Sequence, residues 1–112
     1  MAAMSTEHDD FACGSALARA FEFLGKRWNG LILGTLFAGP AGFAELRRAV
    51  GGISDSVLAE RLAELSKAGL VVRTVDPGPP LAVTYVLTPA GRALLPALRE
   101  LTKWAAENLL ER

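Results

Sequence analysis

The chain has 112 residues, 51% of them hydrophobic, which is enough for one packed domain of common size and too few for two independent cores. Twelve Lys and Arg residues balance twelve Asp and Glu residues, so the overall basic excess typical of nucleic-acid binders is missing. The single cysteine, Cys13, excludes an intramolecular disulfide framework and a thiolate cluster for zinc or iron–sulfur binding.

The N-terminal residues 1–10 are polar and acidic and lack periodicity, so we expect a disordered tail, followed by a single domain over residues 11–112. His8 has no other His or Cys beside it, which argues against a metal site in this tail. The N-terminus lacks the pattern of a secretory signal, and the apolar stretch 31–39 is too short to span a bilayer. We therefore expect a cytoplasmic protein.

Three helices are predicted in the first half of the chain. Apolar residues at helical spacing predict the first helix from Ser15, as its N-cap, to Leu24. After Gly25, a broad apolar stripe from Trp28 to Leu36 predicts a buried second helix, which the segment 38–42 ends. The sequence FAELRRAV at 43–50 predicts a short amphipathic third helix, closed by two glycines at 51 and 52.

A fourth, longer helix is predicted to begin at Ser54, a favoured N-cap residue, and to stop at Gly69 in the left-handed conformation. Leu58, Leu62 and Leu65 form its buried stripe. Two short helices separated by a Gly-containing turn are the arrangement of a helix-turn-helix.

The remaining residues predict a β-hairpin and a terminal helix. Two β-branched runs, 70–75 and 82–88, flank a Pro- and Gly-rich loop, and two antiparallel strands with such a loop make a wing. Thr88 is the predicted N-cap of one helix of about twenty residues, with Pro89 at its first position. The order of elements predicts a mainly α fold of the α+β class, a winged helix-turn-helix.

Several blocks together resemble the HxlR family of winged helix-turn-helix regulators over about residues 11–110. They are Cys13, LGKRWNGLIL at 24–33, GPAGFAELRRAVGGISDSVLAERLAELSKAGLVVRTV at 39–75 and VTYVLTPAGRALLPAL at 83–98. The resemblance implies a homodimer whose fourth helix enters the DNA major groove, whose wing contacts flanking backbone, and whose terminal helices join the subunits. Two features depart from the family pattern: residues 77–85 lack the usual basic wing residue, and Asp55 and Ser56 stand where basic residues are common.

The candidate DNA contacts fall into two groups. On the fourth helix, side chains expected to face away from the leucine stripe and to reach base edges are Ser54, Ser56, Val57, Glu60 and Arg61. Side chains expected to neutralise phosphates are Lys26, Arg27, Arg47, Arg48 and Arg73, and between Lys26 and Arg73 seven bases outnumber four acids by a net +3. The alternative is a solvated face on which Glu60 and Glu64 pair with Arg61 and Lys67.

The terminal helix has more apolar surface than one small domain can cover, so we expect it to pack against a second subunit. The predicted interface residues are Leu94, Leu98, Leu101, Trp104 and Leu109. Trp28 and Trp104, as large aromatics in helical apolar stripes, are expected in the core or the dimer surface. The resemblance also implies a sensing role for Cys13, through an intersubunit pair, a thiol adduct or alkylation; the alternative is an inert small apolar residue.

These patterns predict a dimeric, sequence-specific DNA-binding transcription regulator, acting most simply as a repressor on a near-palindromic site. No nucleophile–base spacing or Gly-rich phosphate loop predicts an enzyme, and no cofactor is expected. One alternative is a winged-helix protein-interaction module without DNA binding, favoured by the zero net charge and the poorly basic wing. Another is a regulator gated by a small molecule bound between the core and the dimer helices.

Overall fold

The computed structural model describes residues 14–109, so the predicted tail at 1–10 and Cys13 lie outside the described residues. The elements in chain order are α1 (Ser15–Leu24), α2 (Arg27–Phe37), α3 (Phe43–Val50), α4 (Asp55–Lys67), β1 (Val71–Asp76), β2 (Ala82–Leu87), α5 (Pro89–Arg92) and α6 (Leu95–Asn108). The predicted winged helix-turn-helix is confirmed. No helix within residues 14–109 is long and apolar enough to cross a membrane.

The core lies where the leucine stripes of the middle helices meet. Ile32, Leu33 and Leu36 of α2 are buried against the fully covered Leu46 of α3. The same cluster contains the side chains predicted to point inward from α4, namely Leu58, Leu62 and Leu65. Because removal of such a leucine costs about 2–5 kcal/mol, this stripe determines which face of α4 is left outside.

The wing is a two-stranded antiparallel sheet that is buried at its base and exposed toward its tip. Val71 pairs with Leu87 at the base, where both are buried, and Asp76 pairs with Ala82 at the far end. Tyr85 of β2 also exchanges two backbone hydrogen bonds with Ala41, at 3.2 and 2.8 Å. This bridge attaches the wing to the segment between α2 and α3.

The junction between the wing and α5 is a close backbone contact. Thr88 caps α5 as predicted: its Oγ1 accepts from the Gly91 amide at 3.1 Å and donates to the Gly69 carbonyl at 2.6 Å. Gly91 is buried so close to the Leu70 carbonyl that no side chain fits there. Gly69 ends the preceding turn with a left-handed φ of 81°, also as predicted.

Two predictions about helix ends are wrong. Ser15 is the first helical residue rather than the N-cap, because Gly14 takes the cap position in an extended conformation and makes no side-chain bond. The terminal segment is not one long helix but two, α5 and α6, separated at Ala93 and Leu94. Pro96 explains the break, since it has no N–H and its ring would collide with the Arg92 carbonyl in a continuous helix.

Candidate nucleic-acid interface

A tight glycine turn and one ion pair fix α3 and α4 relative to each other. Gly51 and Gly52 have φ of 73° and 76°, values that favour glycine and let α3 end abruptly before α4. Ser54 caps α4 by accepting the Val57 amide at 3.2 Å. Across the turn, Arg47 Nη1 donates to Asp55 Oδ1 at 2.7 Å. The start of α4 is therefore held by its own cap and by α3.

The outer face of α4 is a stripe of exposed residues opposite the leucines. Ser56, Glu60, Ala63 and Lys67 recur four, three and four residues apart, and all are exposed. Ala59 is exposed on the flank of this stripe, and Ser54, the N-cap, is exposed just before the first residue of α4. Ser56 and Glu60 thus lie where base contact was predicted, on a helix face that residues 14–109 leave uncovered.

The prediction that Arg61 and Val57 stand free on the outer face is wrong. Val57 is half-buried against the core, and the Arg61 side chain is only 11% exposed. Arg61 follows Leu58 by three residues, which places it only about 60° around the helix from that buried leucine. It lies on the side of α4 that contacts Lys26 and Asn29, whereas the residues of the outer stripe lie about 100–160° further around the helix.

Glu64 is the centre of a hydrogen-bonded network between α4 and the start of α2. Its carboxylate accepts from Lys26 Nζ at 3.0 Å, Arg61 Nη1 at 3.1 Å and Asn29 Nδ2 at 3.3 Å. The hydrogen bond from Lys26 in particular, with those from Asn29 and the charge of Arg61, lowers the Glu64 pKa against the opposing effect of burial. The alternative pairing of Arg61 with Glu64 is thus observed, but Lys26 takes the place expected for Lys67.

Glu64 and Asn29 were not among the site residues predicted from the sequence. Asn29 is fully buried, its side-chain Nδ2 donates to Glu64, and within residues 14–109 its Oδ1 has no hydrogen-bond partner. The Arg61–Glu64 spacing was visible as a helical i,i+3 pair. The partners from α2 are 35 and 38 residues away in sequence, so no local pattern indicates them.

The predicted phosphate-binding side chains differ in their exposure and in whether they already have a partner. Lys26 and Arg47 are each about half exposed and already bonded, to Glu64 and Asp55 respectively. The Arg27 guanidinium lies 4.6 Å from the centre of the Trp28 ring, a cation–π distance. Arg48 on α3 and Arg73 on β1 are exposed, and neither has an ion pair within the described part of the chain.

The predicted dimer residues of the terminal segment differ in how far they are exposed. Leu101, Trp104 and Leu109 are large exposed apolar side chains, and α6 buries no residue within residues 14–109. Leu98 is half-buried. Leu94 packs against the subunit's own core, which contradicts its assignment to a free surface. Trp28 also packs against the core, one of its two expected places.

An apolar cleft of about 300 Å³ lies between α1, the core and α5. Its lining residues are Ala20, Phe23, Leu24, Leu33, Leu70, Ala90, Ala93 and Leu94. A cleft of this kind, with almost no polar groups, suits an apolar ligand without indicating which one.

Comparison with known proteins identifies one matching family and relatives that are helix-turn-helix transcriptional regulators. The HxlR-like helix-turn-helix family matches residues 23–112. The HTH-type transcriptional regulator YodB of Bacillus subtilis is 46% identical over 86 residues, 77% of either chain. The uncharacterized HTH-type transcriptional regulator YvaP of the same organism is 44% identical over 89 residues, 80% of this chain and 82% of YvaP.

Solved structures of YodB resemble the present fold closely. The reduced form superposes with a TM-score of 0.80 at 42% identity, over 84% of this chain and 92% of that one. Diamide-treated YodB superposes at 0.73, with 42% identity and 84% and 93% coverage. Quinone-bound YodB superposes at 0.74, with 41% identity and 83% and 97% coverage.

Proposed function

The chain belongs to the HxlR-like helix-turn-helix family of transcriptional regulators, a non-enzymatic class, and we propose that it represses transcription by binding DNA as a homodimer. The proposal rests on α4, whose outer stripe of Ser56, Glu60, Ala63 and Lys67 is exposed while its leucines are buried. A helix of this kind fits the major groove, where base edges carry the sequence information. We also propose that residues 11–112 form a single domain.

The flanking basic side chains give α4 its position on the duplex. Arg48 and Arg73 are exposed on α3 and β1, on either side of α4 in the chain, and Lys26 and Arg27 begin α2. Contacts of such groups with phosphates orient the protein without reading sequence. The local excess of positive charge between Lys26 and Arg73 supports this role although the whole chain is neutral.

The dimer part of the proposal rests on apolar surface that residues 14–109 of a single chain leave uncovered. Leu17 and Phe21 of α1 are exposed, as are Leu101 and Trp104 of α6, and neither helix has a buried residue. Clusters of large exposed apolar side chains mark association surfaces. A two-fold dimer would place two α4 helices in major grooves about 34 Å apart on a near-palindromic operator.

A salt titration with a random duplex tests DNA binding. We expect the affinity to fall by at least tenfold between about 50 and 200 mM salt, because several phosphates exchange their counterions for basic side chains. Absent or salt-independent binding would instead favour a protein-interaction module, the alternative that the zero net charge supports.

We further propose that oxidants or electrophiles regulate the protein through Cys13, the residue before the Gly14 cap of α1. The support is the resemblance to YodB, which has been crystallised after diamide treatment and with bound quinone. With one thiol per chain, diamide would take two electrons and two protons from a pair of Cys13 thiols and leave an intersubunit disulfide. Diamide should change operator affinity in the wild type but leave Cys13→Ser unaffected, and an equal response of both would refute this.

The apolar cleft supports a second form of regulation, by a non-covalent apolar effector. Ala20→Phe would fill the cleft from α1, and Ala59→Phe, on the exposed flank of α4, adds the same side chain elsewhere. In a screen of apolar compounds against Cys13→Ser, a true effector raises the melting temperature of the parent and not of the Ala20→Phe variant. Loss of the shift with Ala59→Phe alone would contradict a site in the cleft.

A further inference from the structure

We propose that Glu60 is the principal base-reading side chain of α4 and that it selects a cytosine in each operator half-site. The inference rests on the proposed function, since it requires α4 to lie in the major groove. The carboxylate would accept a hydrogen bond from the exocyclic amino group of the cytosine.

The other charged side chains in the first three turns of α4 are already engaged within the subunit. Asp55 is bound to Arg47 at 2.7 Å, which turns its carboxylate toward α3. Arg61 is 11% exposed and bonded to Glu64. Glu64 in turn is held by Lys26, the N-cap of α2, and by Asn29 of α2. Each of these groups would have to break a contact that holds α4 in place before it could reach a base.

Glu60 differs from them because no hydrogen bond within residues 14–109 holds its carboxylate. Its side chain is 70% exposed, and its one ion-pair neighbour within residues 14–109 is Arg61 Nη2 at 3.7 Å, beyond hydrogen-bond distance. Glu60 lies near the middle of the outer stripe, on the side of α4 opposite the leucines. Within the first three turns of α4, the carboxylate is therefore the longest free hydrogen-bonding group on the surface that would meet the groove, and Lys67 follows only in the last turn.

The residues around Glu60 leave space for a base edge. Ala59 and Ala63 are exposed and carry only a methyl group, and Ser56, one turn earlier, carries a short hydroxyl. Neither alanine offers a competing donor or acceptor. From the side of Ser56, Ala59 and Ala63, a flat base edge can approach the carboxylate without meeting a larger side chain.

An ionised carboxylate only accepts hydrogen bonds, and this determines which base it tolerates. In the major groove cytosine presents an amino donor, whereas guanine presents two acceptors and thymine one acceptor and a methyl group. Adenine has an amino donor but places the N7 acceptor beside it, which repels the second carboxylate oxygen. Cytosine is the one base that presents a donor without a neighbouring acceptor in this groove.

Selection of operators from a random duplex pool tests the inference, with wild type, Glu60→Gln and Glu100→Gln compared. Glu100→Gln is the matched control, because it removes the same charge from an exposed position on α6. We expect one cytosine in each half of the wild-type motif, replaced by adenine with Glu60→Gln, since a glutamine pairs with adenine N6 and N7. Glu100→Gln should return the wild-type motif.

Binding measurements with the selected duplexes give the magnitude. Glu60→Gln should bind the wild-type operator about 5- to 100-fold more weakly relative to its own operator, as expected for exchange of one base-specific contact. It should also bind random duplex more tightly than the wild type, because one negative charge within the field of the phosphates is gone. An unchanged melting temperature will show that this exposed substitution leaves the fold intact.

The outcomes separate the inference from the proposed function. If wild type and Glu60→Gln return the same motif, Glu60 does not read the base, while sequence-specific binding by the protein stands. If the wild type enriches no motif at all, sequence-specific DNA binding fails, and the role of Glu60 fails with it.

Discussion

At the scale of single residues, chemical type alone does not predict which side chains of α4 are buried. The charged Arg61 is largely covered, as the leucines are. The leucine spacing predicts the inner face correctly, because a period of 3.6 residues is a local property. The same local period does not predict that the Arg61 side chain is covered. Its partner Glu64 is fixed by Lys26 and Asn29 of another helix, and such long-range contacts leave no trace in the local pattern.

The Glu64 network predicts a specific pH dependence of stability. Because contact with Lys26 lowers the Glu64 pKa in the folded protein, Glu64 contributes stability above the ordinary glutamate pKa of 4.5. That contribution is lost as the pH falls from about 4.5 through the lowered folded-state value. Glu64→Gln should therefore reduce the free energy of unfolding by about 1 kcal/mol at pH 7 and show a shallower loss of stability in acid.

Urea unfolding between about pH 7 and pH 3 measures this effect, with Glu100→Gln on the exposed face of α6 as the control. The control should follow the wild-type curve. If Glu64→Gln also follows it, the network does not stabilise the position of α4.

At the scale of elements, the order of helices and the hairpin follow from periodicity and turn residues, whereas the helix ends do not. The caps at Ser54 and Thr88 were predictable because both hydroxyls accept amides in their own first turn. The division of the terminal segment into α5 and α6 was missed because the leucine spacing continues across it. Pro96 was the available signal, since proline inside a helix removes a hydrogen bond and collides with the preceding turn.

Gly91 tests the attachment of the wing to α5. A methyl group there would collide with the Leu70 carbonyl, so Gly91→Ala should lower the free energy of unfolding by about 2 kcal/mol or more. Gly30 of α2 is the matched control, because nothing lies within 4 Å of its added methyl group. Gly30→Ala should be neutral or stabilising by about 0.5–1 kcal/mol, since alanine is the better helix former. Equal effects of the two substitutions in chemical denaturation would contradict the close contact.

At the scale of the whole molecule, the predicted dimer surface is only partly free. Leu94 belongs to the subunit's own core, which leaves Leu101, Trp104 and Leu109 as the exposed apolar residues of the terminal segment. Sequence reasoning identified the excess of apolar surface. It could not divide that surface between core and exterior, because the leucine spacing does not show the break between α5 and α6.

Trp104→Glu tests this surface. We expect dimerisation to weaken by about 30-fold or more, because a central aromatic side chain commonly contributes at least 2 kcal/mol to an interface. The subunit should stay folded, since α6 has no buried residue. Sedimentation equilibrium measures the oligomeric state, and Leu81→Glu in the wing loop, where Leu81 is 68% exposed, is the control and should stay dimeric. A wild-type protein that is monomeric at all concentrations would refute the dimer directly.

The central claim is that the outer face of α4 lies in the major groove in a two-fold complex. Iron–EDTA attached to Ser56→Cys in a Cys13→Ser background tests it most directly, with Glu100→Cys at an exposed position of α6 as the control. On a selected operator, the label at position 56 should cut the DNA at two symmetric places about 34 Å apart, and the label at position 100 should not. Uniform cutting, or the same pattern from both positions, would contradict the claim.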